Sequence, residues 1–181
     1  MGQPKALLEI DGKPLVIRAV ELLAPLCSAV TLVGTPERYQ HLGHAVIADE
    51  RPDIGPLGGI LTALSATATD WNLIVACDLP YLTTEWLRYL IQRAARSTAR
   101  VLLPESASGL EPLCAVYHRA AAAVIRDSIA RGVLKVTTAL QPLAIERVTP
   151  AEIHAFDPRG NLFQNLNTPG EFDRARDELE G

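Results

Sequence analysis

The residue best placed for chemistry in this sequence is Asp78, in the segment Cys77-Asp78-Leu79-Pro80. The apolar run before it has the composition of a buried strand, and we predict a strand over residues 71–78 that ends at Asp78. Ligands of an open α/β sheet bind beyond the carboxyl ends of its strands. A carboxylate at that point can meet a ligand or its metal ion, although a lone acid there is about as often a simple turn residue.

A glycine-rich loop, Gly55-Pro56-Leu57-Gly58-Gly59, is the second feature with chemical meaning. Glycines let the backbone approach a ligand closely, and the helix that follows offers free N–H groups and the positive end of its dipole. The same glycines would also suit plain packing against the sheet, since short glycine motifs are common. Asp49 and Asp53 lie just before the loop and favour a functional interpretation. Lys5 adds a cation, which on its own would be a solvated surface charge.

Other polar residues are weaker candidates. Asn165 and Asn167 are two positions apart, so in an extended segment they point the same way, toward a ligand or simply within a turn before a helix. Glu111 is a possible substrate contact. His41 and His44 have no Cys or carboxylate at a supporting spacing, which favours a solvated helix face over a metal site. No Ser-His-Asp pattern and no Walker loop is present.

Composition restricts the class of protein further. The chain has 181 residues, 48% of them hydrophobic, which is enough for one globular domain with a substantial core. A net charge of −4 argues against a nucleic-acid or membrane surface, because phosphate groups are bound by excess Lys and Arg. The three cysteines are widely spaced, which favours reduced thiols and a cytoplasmic protein.

Helical and strand patterns alternate along the chain. We predict helices over residues 14–26, 36–42, 57–66, 84–96, 120–130, 136–140 and 169–179, and strands over residues 29–33, 45–48, 71–78, 99–103, 113–117 and 145–148. The last helix begins with Thr168-Pro169-Gly170-Glu171, which has capping-box spacing. Residues 106–112 are predicted to form the longest excursion. This alternation predicts an α/β fold with a mostly parallel sheet that is covered on both faces.

Five ordered segments together resemble the molybdenum cofactor guanylyltransferase family. They are residues 1–8, 55–60, 77–80, 111–117 and 165–169, and they span nearly the whole chain. The resemblance implies a single Rossmann-like, three-layer nucleotidyltransferase domain over residues 1–181. It also implies a cytoplasmic enzyme that transfers GMP from Mg-GTP to molybdenum-molybdopterin and releases pyrophosphate. Transient contacts with cofactor-delivery or molybdoenzyme-maturation proteins would fit that role.

The resemblance also assigns roles to residues. Asp78 matches the acid that holds Mg²⁺, and Lys5 matches the lysine that contacts the nucleotide phosphates. Asp49 matches an acid of the nucleotide pocket, to which Gly55-Pro56-Leu57-Gly58 also belongs. Asn165 and Asn167 match the terminal asparagine pair near the active site, and Glu111 is a weaker candidate for a substrate contact.

The N-terminus departs from the family pattern. The family begins with a buried strand and a loop of the form Leu-Ala-Gly-Gly-x-Ser-x-Arg-Met-Gly, of which only Met1-Gly2 is matched here. We therefore expect a chain truncated relative to the family, in which a missing central strand leaves ladder groups unpaired and a core face uncovered. A version extended upstream should be more stable and much more active. Unfolding and GTP turnover of both forms test this, and equal activity would contradict it.

Three other functions fit parts of the sequence. A nucleotidyltransferase of the same fold that uses CTP or a sugar phosphate would differ only in a few hydrogen bonds to its substrates. A non-catalytic nucleotide- or cofactor-binding protein would explain the incomplete loop. A receiver-like domain with Asp78 as phosphoacceptor has little support, because Pro80 and the glycine loop do not suit it.

Overall fold

A computed structural model of the protein describes residues 4–180, so Met1, Gly2 and Gln3 of the first motif lie outside the described range. The strands are β1 (Glu9–Ile10), β2 (Lys13–Pro14), β3 (Thr31–Val33), β4 (Ala45–Ile47), β5 (Trp71–Val75), β6 (Val101–Ser106), β7 (Gly109–Leu110), β8 (Cys114–His118) and β9 (Ile145–Val148). The helices are α1 (Leu15–Leu23), α2 (Pro36–Tyr39), α3 (Pro56–Ala66), α4 (Thr84–Ala94), α5 (Ala121–Ala130), α6 (Val136–Ala139), α7 (Pro150–His154) and α8 (Pro169–Glu180). None of the described helices is long and apolar enough to cross a bilayer.

The largest sheet has five strands, with β6 and β8 at its centre. β8 runs antiparallel to both β5 and β6, whereas β9 pairs with β6 in parallel. The sheet therefore contains more antiparallel pairings than the alternation of strands and helices predicts. The reason lies at residues 106–112, where a tight hairpin pairs Ser106 with Gly109 and returns the chain to β8. The predicted long excursion is thus wrong: the segment contains a tight hairpin turn and the short strand β7.

Helices cover both faces of this sheet, which confirms the three-layer α/β fold. Alternate residues of β6 and β8 point to opposite sides, as the pleat requires. On one side Leu103 and Tyr117 are buried against α3, α5 and α6. On the other side Leu102 and Val116 are buried against α4 and α7.

Among the described residues, strand β5 pairs only with β8 and so forms an edge of the five-stranded sheet. The N–H of Arg119 donates to the carbonyl of Asp70, and the N–H of Ala76 donates to the carbonyl of Leu113, at 2.7 and 2.8 Å. Backbone groups alternate in direction along an antiparallel strand, so those of Leu73 point away from β8. All five residues of β5 are partly exposed. The short parallel ladder of β3 and β4 is separate from this sheet in the described residues.

Most predicted elements are confirmed within a few residues, but the end of β5 is not. The strand stops at Val75 rather than at Asp78. The apolar run continues to Leu79 because that side chain is itself buried, only 6% exposed, in the core. Asp78 therefore lies in the turn that follows the strand. The hairpin of β1 and β2 and the helix α7, which begins with a capping box at Thr149 and Glu152, were not predicted.

Candidate active site

The turn that carries Asp78 is anchored through its backbone and not through the Asp78 side chain. The carbonyl of Asp78 accepts the N–H of Leu166 at 3.2 Å, and Leu79 fixes the turn to the core. The Asp78 side chain is half-buried. Its carboxylate has no hydrogen-bond or ion-pair partner among residues 4–180. A negative group held in place but left unpaired is available to a ligand.

Lys5 lies close to the turn that carries Asp78. It begins a short 3₁₀ turn, Lys5–Leu7, and its Nζ donates to Oδ1 of Asn167 at 2.8 Å. Asn167 follows Leu166, the residue bonded to the Asp78 backbone. The structure therefore brings together three predicted site residues that are far apart in the sequence.

Cys77 lies next to Asp78 but is no nucleophile. Burial, and to a smaller extent the Asp78 carboxylate, raise the pKa of its thiol to about 11, against the opposing effects of a backbone hydrogen bond and the positive charge of Lys5. Thiolate is the reactive form of cysteine, so this side chain is inert at neutral pH. Cys77 is therefore not a candidate nucleophile for this site.

The two asparagines lie on an exposed segment with a buried residue between them. Leu166 is 4% exposed, whereas Asn165 and Asn167 both face solvent, as their spacing predicts. Glu171 holds this segment, since its Oε2 accepts the N–H groups of Asn167 and Thr168, each at 2.8 Å. The capping-box spacing predicts the hydrogen bond from the Thr168 N–H to Glu171, but nothing in the sequence predicts the one from the Asn167 N–H.

Glu111 lies near the same end of β5. The backbone bond from Ala76 to Leu113 places the segment after Glu111 beside the residues that lead to Asp78. Burial raises the pKa of Glu111, while a hydrogen bond of 2.6 Å from the Ser106 hydroxyl to its Oε1 opposes that shift. Ser106 was not predicted, because only the hairpin brings it to Glu111.

Asp49 ties the glycine-rich loop to helix α3. Its Oδ1 accepts the N–H of Arg51 at 2.9 Å and the hydroxyl of Thr62 at 3.2 Å. Its Oδ2 lies 3.8 Å from the position that a Cβ on Gly59 would occupy, and it has no hydrogen bond to a described residue. One carboxylate oxygen thus braces the loop, and the other is available at the start of α3. Thr62 was missed because nothing in the sequence links it to Asp49.

The glycines of this loop have different physical roles. Gly55 has φ +68° and ψ −152°, a conformation that essentially only glycine adopts. At Gly58, a Cβ would lie 2.3 Å from the carbonyl oxygen of Arg51. Plain packing, the alternative that the sequence left open, therefore explains Gly58. The Leu57 side chain is fully buried in the core, so any ligand contact from Leu57 is restricted to its backbone.

This close contact predicts a large difference between two neighbouring substitutions. Gly58→Ala should lower the free energy of unfolding by about 1–3 kcal/mol, because the backbone of Arg51 must move. Gly59→Ala meets nothing closer than 3.8 Å and should be neutral or slightly stabilising through helix propensity. Urea unfolding of both variants checks this, and equal midpoints would show that the Arg51 contact is easily relieved.

In the structure, the predicted site residues with a clear position fall into two groups. Lys5, Asp78 and Asn167 form one, and Asp49 and the glycine-rich loop form the other. In the described range, no hydrogen bond or ion pair joins the two groups. Ile54, just before the glycine-rich loop, and Ile74 of β5 pack against the same core cluster.

The donor set suits Mg²⁺ only in combination with a substrate. No group of three or more His, Cys, Asp or Glu side chains within residues 4–180 could hold a metal ion. Mg²⁺ in nucleotide sites typically uses one or two carboxylates and completes its shell with phosphates and water. The unpaired Asp78 carboxylate fits that pattern, whereas a metal cage built from protein alone does not.

An α/β fold with a free carboxylate and a lysine beyond the end of a strand is typical of α/β enzymes that handle nucleotides, since ligands of such sheets bind beyond the strand ends. The "MobA-like NTP transferase domain" family matches residues 1–144. A molybdenum cofactor guanylyltransferase of Syntrophotalea carbinolica is 32% identical over 182 residues, covering 100% of this chain and 87% of that protein. The chain therefore belongs to the MobA-like NTP transferase family, and it is a nucleotidyltransferase.

Solved structures support the fold. Molybdopterin-guanine dinucleotide biosynthesis protein A from Archaeoglobus fulgidus superposes with a TM-score of 0.85 at 24% identity, covering 99% of this chain and 92% of that one. The 2-C-methyl-D-erythritol 4-phosphate cytidylyltransferase of Thermus thermophilus superposes with a TM-score of 0.75 at 13% identity, covering 98% and 95%. At these identities, the likeness concerns the fold alone.

Proposed function

We propose that this protein transfers GMP from Mg-GTP to molybdenum-molybdopterin, with release of pyrophosphate. One observation carries the proposal: Lys5, Asn167 and the unpaired carboxylate of Asp78 lie together beyond the end of β5. The name of the Syntrophotalea relative supports the choice of substrates. We further propose that the reaction takes place in the cytoplasm, with transient contacts to proteins that deliver or receive the cofactor.

Lys5 supplies positive charge for the triphosphate. Its ammonium group has three N–H donors, and in this structure Asn167 accepts one of them. The other two can donate to phosphate oxygens without breaking that contact. Phosphoryl transfer depends mainly on positioning and charge neutralisation, and both are served by a lysine whose direction is already fixed.

Asp78 is the residue that would hold Mg²⁺. When bound, the ion offsets negative charge on the phosphate oxygens. Asp78 is suited to this role because its carboxylate is free while its backbone is bonded to Leu166. On the nucleotide side, the free Oδ2 of Asp49 can accept a hydrogen bond from guanine or ribose. In the first turn of α3, Pro56 has no N–H and the N–H of Gly58 donates to the Gly55 carbonyl at 3.0 Å, so Leu57 and Gly59 would offer their backbone N–H groups to the nucleotide.

The second substrate would approach from the side of Glu111 and Asn165. Asn165 faces solvent, and its amide has no partner among the described residues. It is therefore free to bind and orient the acceptor. The terminal phosphate of molybdopterin attacks the α-phosphorus of GTP in line, one P–O bond forms, and the bond to pyrophosphate breaks. No covalent enzyme intermediate is needed.

The experiment compares GTP with CTP under identical conditions. The protein, Mg²⁺ and molybdenum-molybdopterin are incubated with each nucleotide, and pyrophosphate is measured. We expect release with GTP and at least about tenfold less with CTP, since a base is distinguished by a few hydrogen bonds. Faster release with CTP would instead assign a cytidylyltransferase. Nucleotide binding without any pyrophosphate would contradict catalysis and support a binding protein.

A further inference from the structure

Glu171, in the first turn of α8, makes one hydrogen bond more than a helix cap requires. In a capping box, the third residue of the helix accepts the N–H of the capping residue, here Thr168, and the capping hydroxyl accepts an N–H in return. Glu171 does this, and Oγ1 of Thr168 accepts the Glu171 N–H at 3.2 Å. Glu171 also accepts the N–H of Asn167, one residue outside the box, at 2.8 Å. The carboxylate therefore reaches from the helix into the site segment.

That segment connects the two charged residues of the site. Asn167 accepts Nζ of Lys5 through its side chain, and Leu166 donates its N–H to the Asp78 carbonyl. Leu166 is buried with Ala175 of α8, so the segment is fixed to the helix on one side. On its exposed side, Glu171 is the residue that fixes the backbone of Asn167.

We propose that Glu171 is a positioning residue, which holds Asn167 so that the Lys5 ammonium is directed to the phosphates near Asp78. This inference rests on the proposed function. Glu171 need not touch either substrate, because it acts through the backbone of Asn167. Without its carboxylate, two N–H groups lose their acceptor, and the Asn167 amide loses the fixed position from which it binds Lys5.

The structure offers a matched control for the helix cap. Thr168→Ala removes the capping hydroxyl and should cost about 1 kcal/mol of stability, but it leaves the bond between Glu171 and Asn167. Glu171→Ala removes that bond as well as its own part of the cap. A residue that only caps α8 would give both variants the same kinetics once they are folded.

The test measures KM for GTP, kcat and unfolding for Glu171→Ala, Glu171→Gln and Thr168→Ala. We expect Glu171→Ala to raise KM for GTP about tenfold or more, since small displacements of a positioned charge have effects of that size. Thr168→Ala should stay within about twofold of the parent in KM. Glu171→Gln keeps an acceptor oxygen and should restore part of the loss.

A double-mutant cycle with Asn167→Ala separates the route through Asn167 from a general effect of α8. In that background, Glu171→Ala should change KM by less than about twofold. A tenfold effect that persists there would overturn the proposed route, as would equal KM values for Glu171→Ala and Thr168→Ala. If the parent protein turns over no GTP, the proposed function fails and this inference falls with it; an active parent isolates a failure of the inference alone.

Discussion

Asp78→Asn is expected to lower pyrophosphate release from Mg-GTP by about 100-fold or more, because it removes the carboxylate that we propose would hold Mg²⁺, an ion that would offset the charge of the phosphates. The folded protein should be almost as stable as the parent, since the Asp78 carboxylate makes no hydrogen bond to the described residues. Pyrophosphate release and urea unfolding measure the two effects.

A matched control lies at the other end of the same strand. Asp70 is exposed and its carboxylate pairs with Arg119 at 2.9 Å, at the amino end of β5. Asp70→Asn makes the same chemical change away from the site, and exposed ion pairs contribute little, so turnover should be unaffected. If Asp78→Asn retained more than half of the parent rate, Asp78 would be a turn residue and not a metal ligand.

Lys5→Met should lower kcat/KM for GTP by about 10- to 100-fold, because it would remove a charge-assisted hydrogen bond to phosphate. The methionine keeps a long apolar stem but cannot donate to a phosphate or to Asn167. Steady-state kinetics with GTP measure the effect. Adding salt should weaken the parent's binding of GTP more than that of the variant, because salt screens an ammonium–phosphate attraction.

Lys13→Met is the control for Lys5→Met. Lys13 is exposed and paired with Glu21 at 2.9 Å, and it has no hydrogen bond or ion pair with a predicted site residue in the described range. Its replacement should leave kcat/KM within about twofold, because a surface ion pair contributes little. Equal losses for the two lysines would indicate a general effect of net charge and would remove Lys5 from the site.

Local patterns in the sequence predicted the elements that position the site. The apolar run before Asp78 gave β5, and the capping-box spacing at Thr168 gave the start of α8. Each depends on residues that are close in the chain. The end of β5 was misplaced because apolarity reports burial rather than ladder pairing, and the residues after Val75 remain half-buried or buried.

Contacts between distant residues could not be predicted in the same way. The hydroxyl of Thr62 donates to Asp49, which lies 13 residues earlier in the chain. The hydroxyl of Ser106 donates to Glu111 because the tight hairpin brings the two residues together. The direction of β8 was also hidden, since a strand buried on both faces has the same composition in a parallel and an antiparallel ladder. The family resemblance supplied roles for Lys5 and Asp78, and the structure supplied the contacts of their neighbours.

The most direct test follows the α-phosphate of GTP. The protein is incubated with Mg²⁺, molybdenum-molybdopterin and GTP labelled at either the α- or the γ-phosphorus. The α label should appear in the guanine dinucleotide product and the γ label in pyrophosphate, and Asp78→Asn should lower the rate of both by about 100-fold or more. Absence of the α label from the product, or its undiminished transfer by Asp78→Asn, would contradict guanylyl transfer at this site.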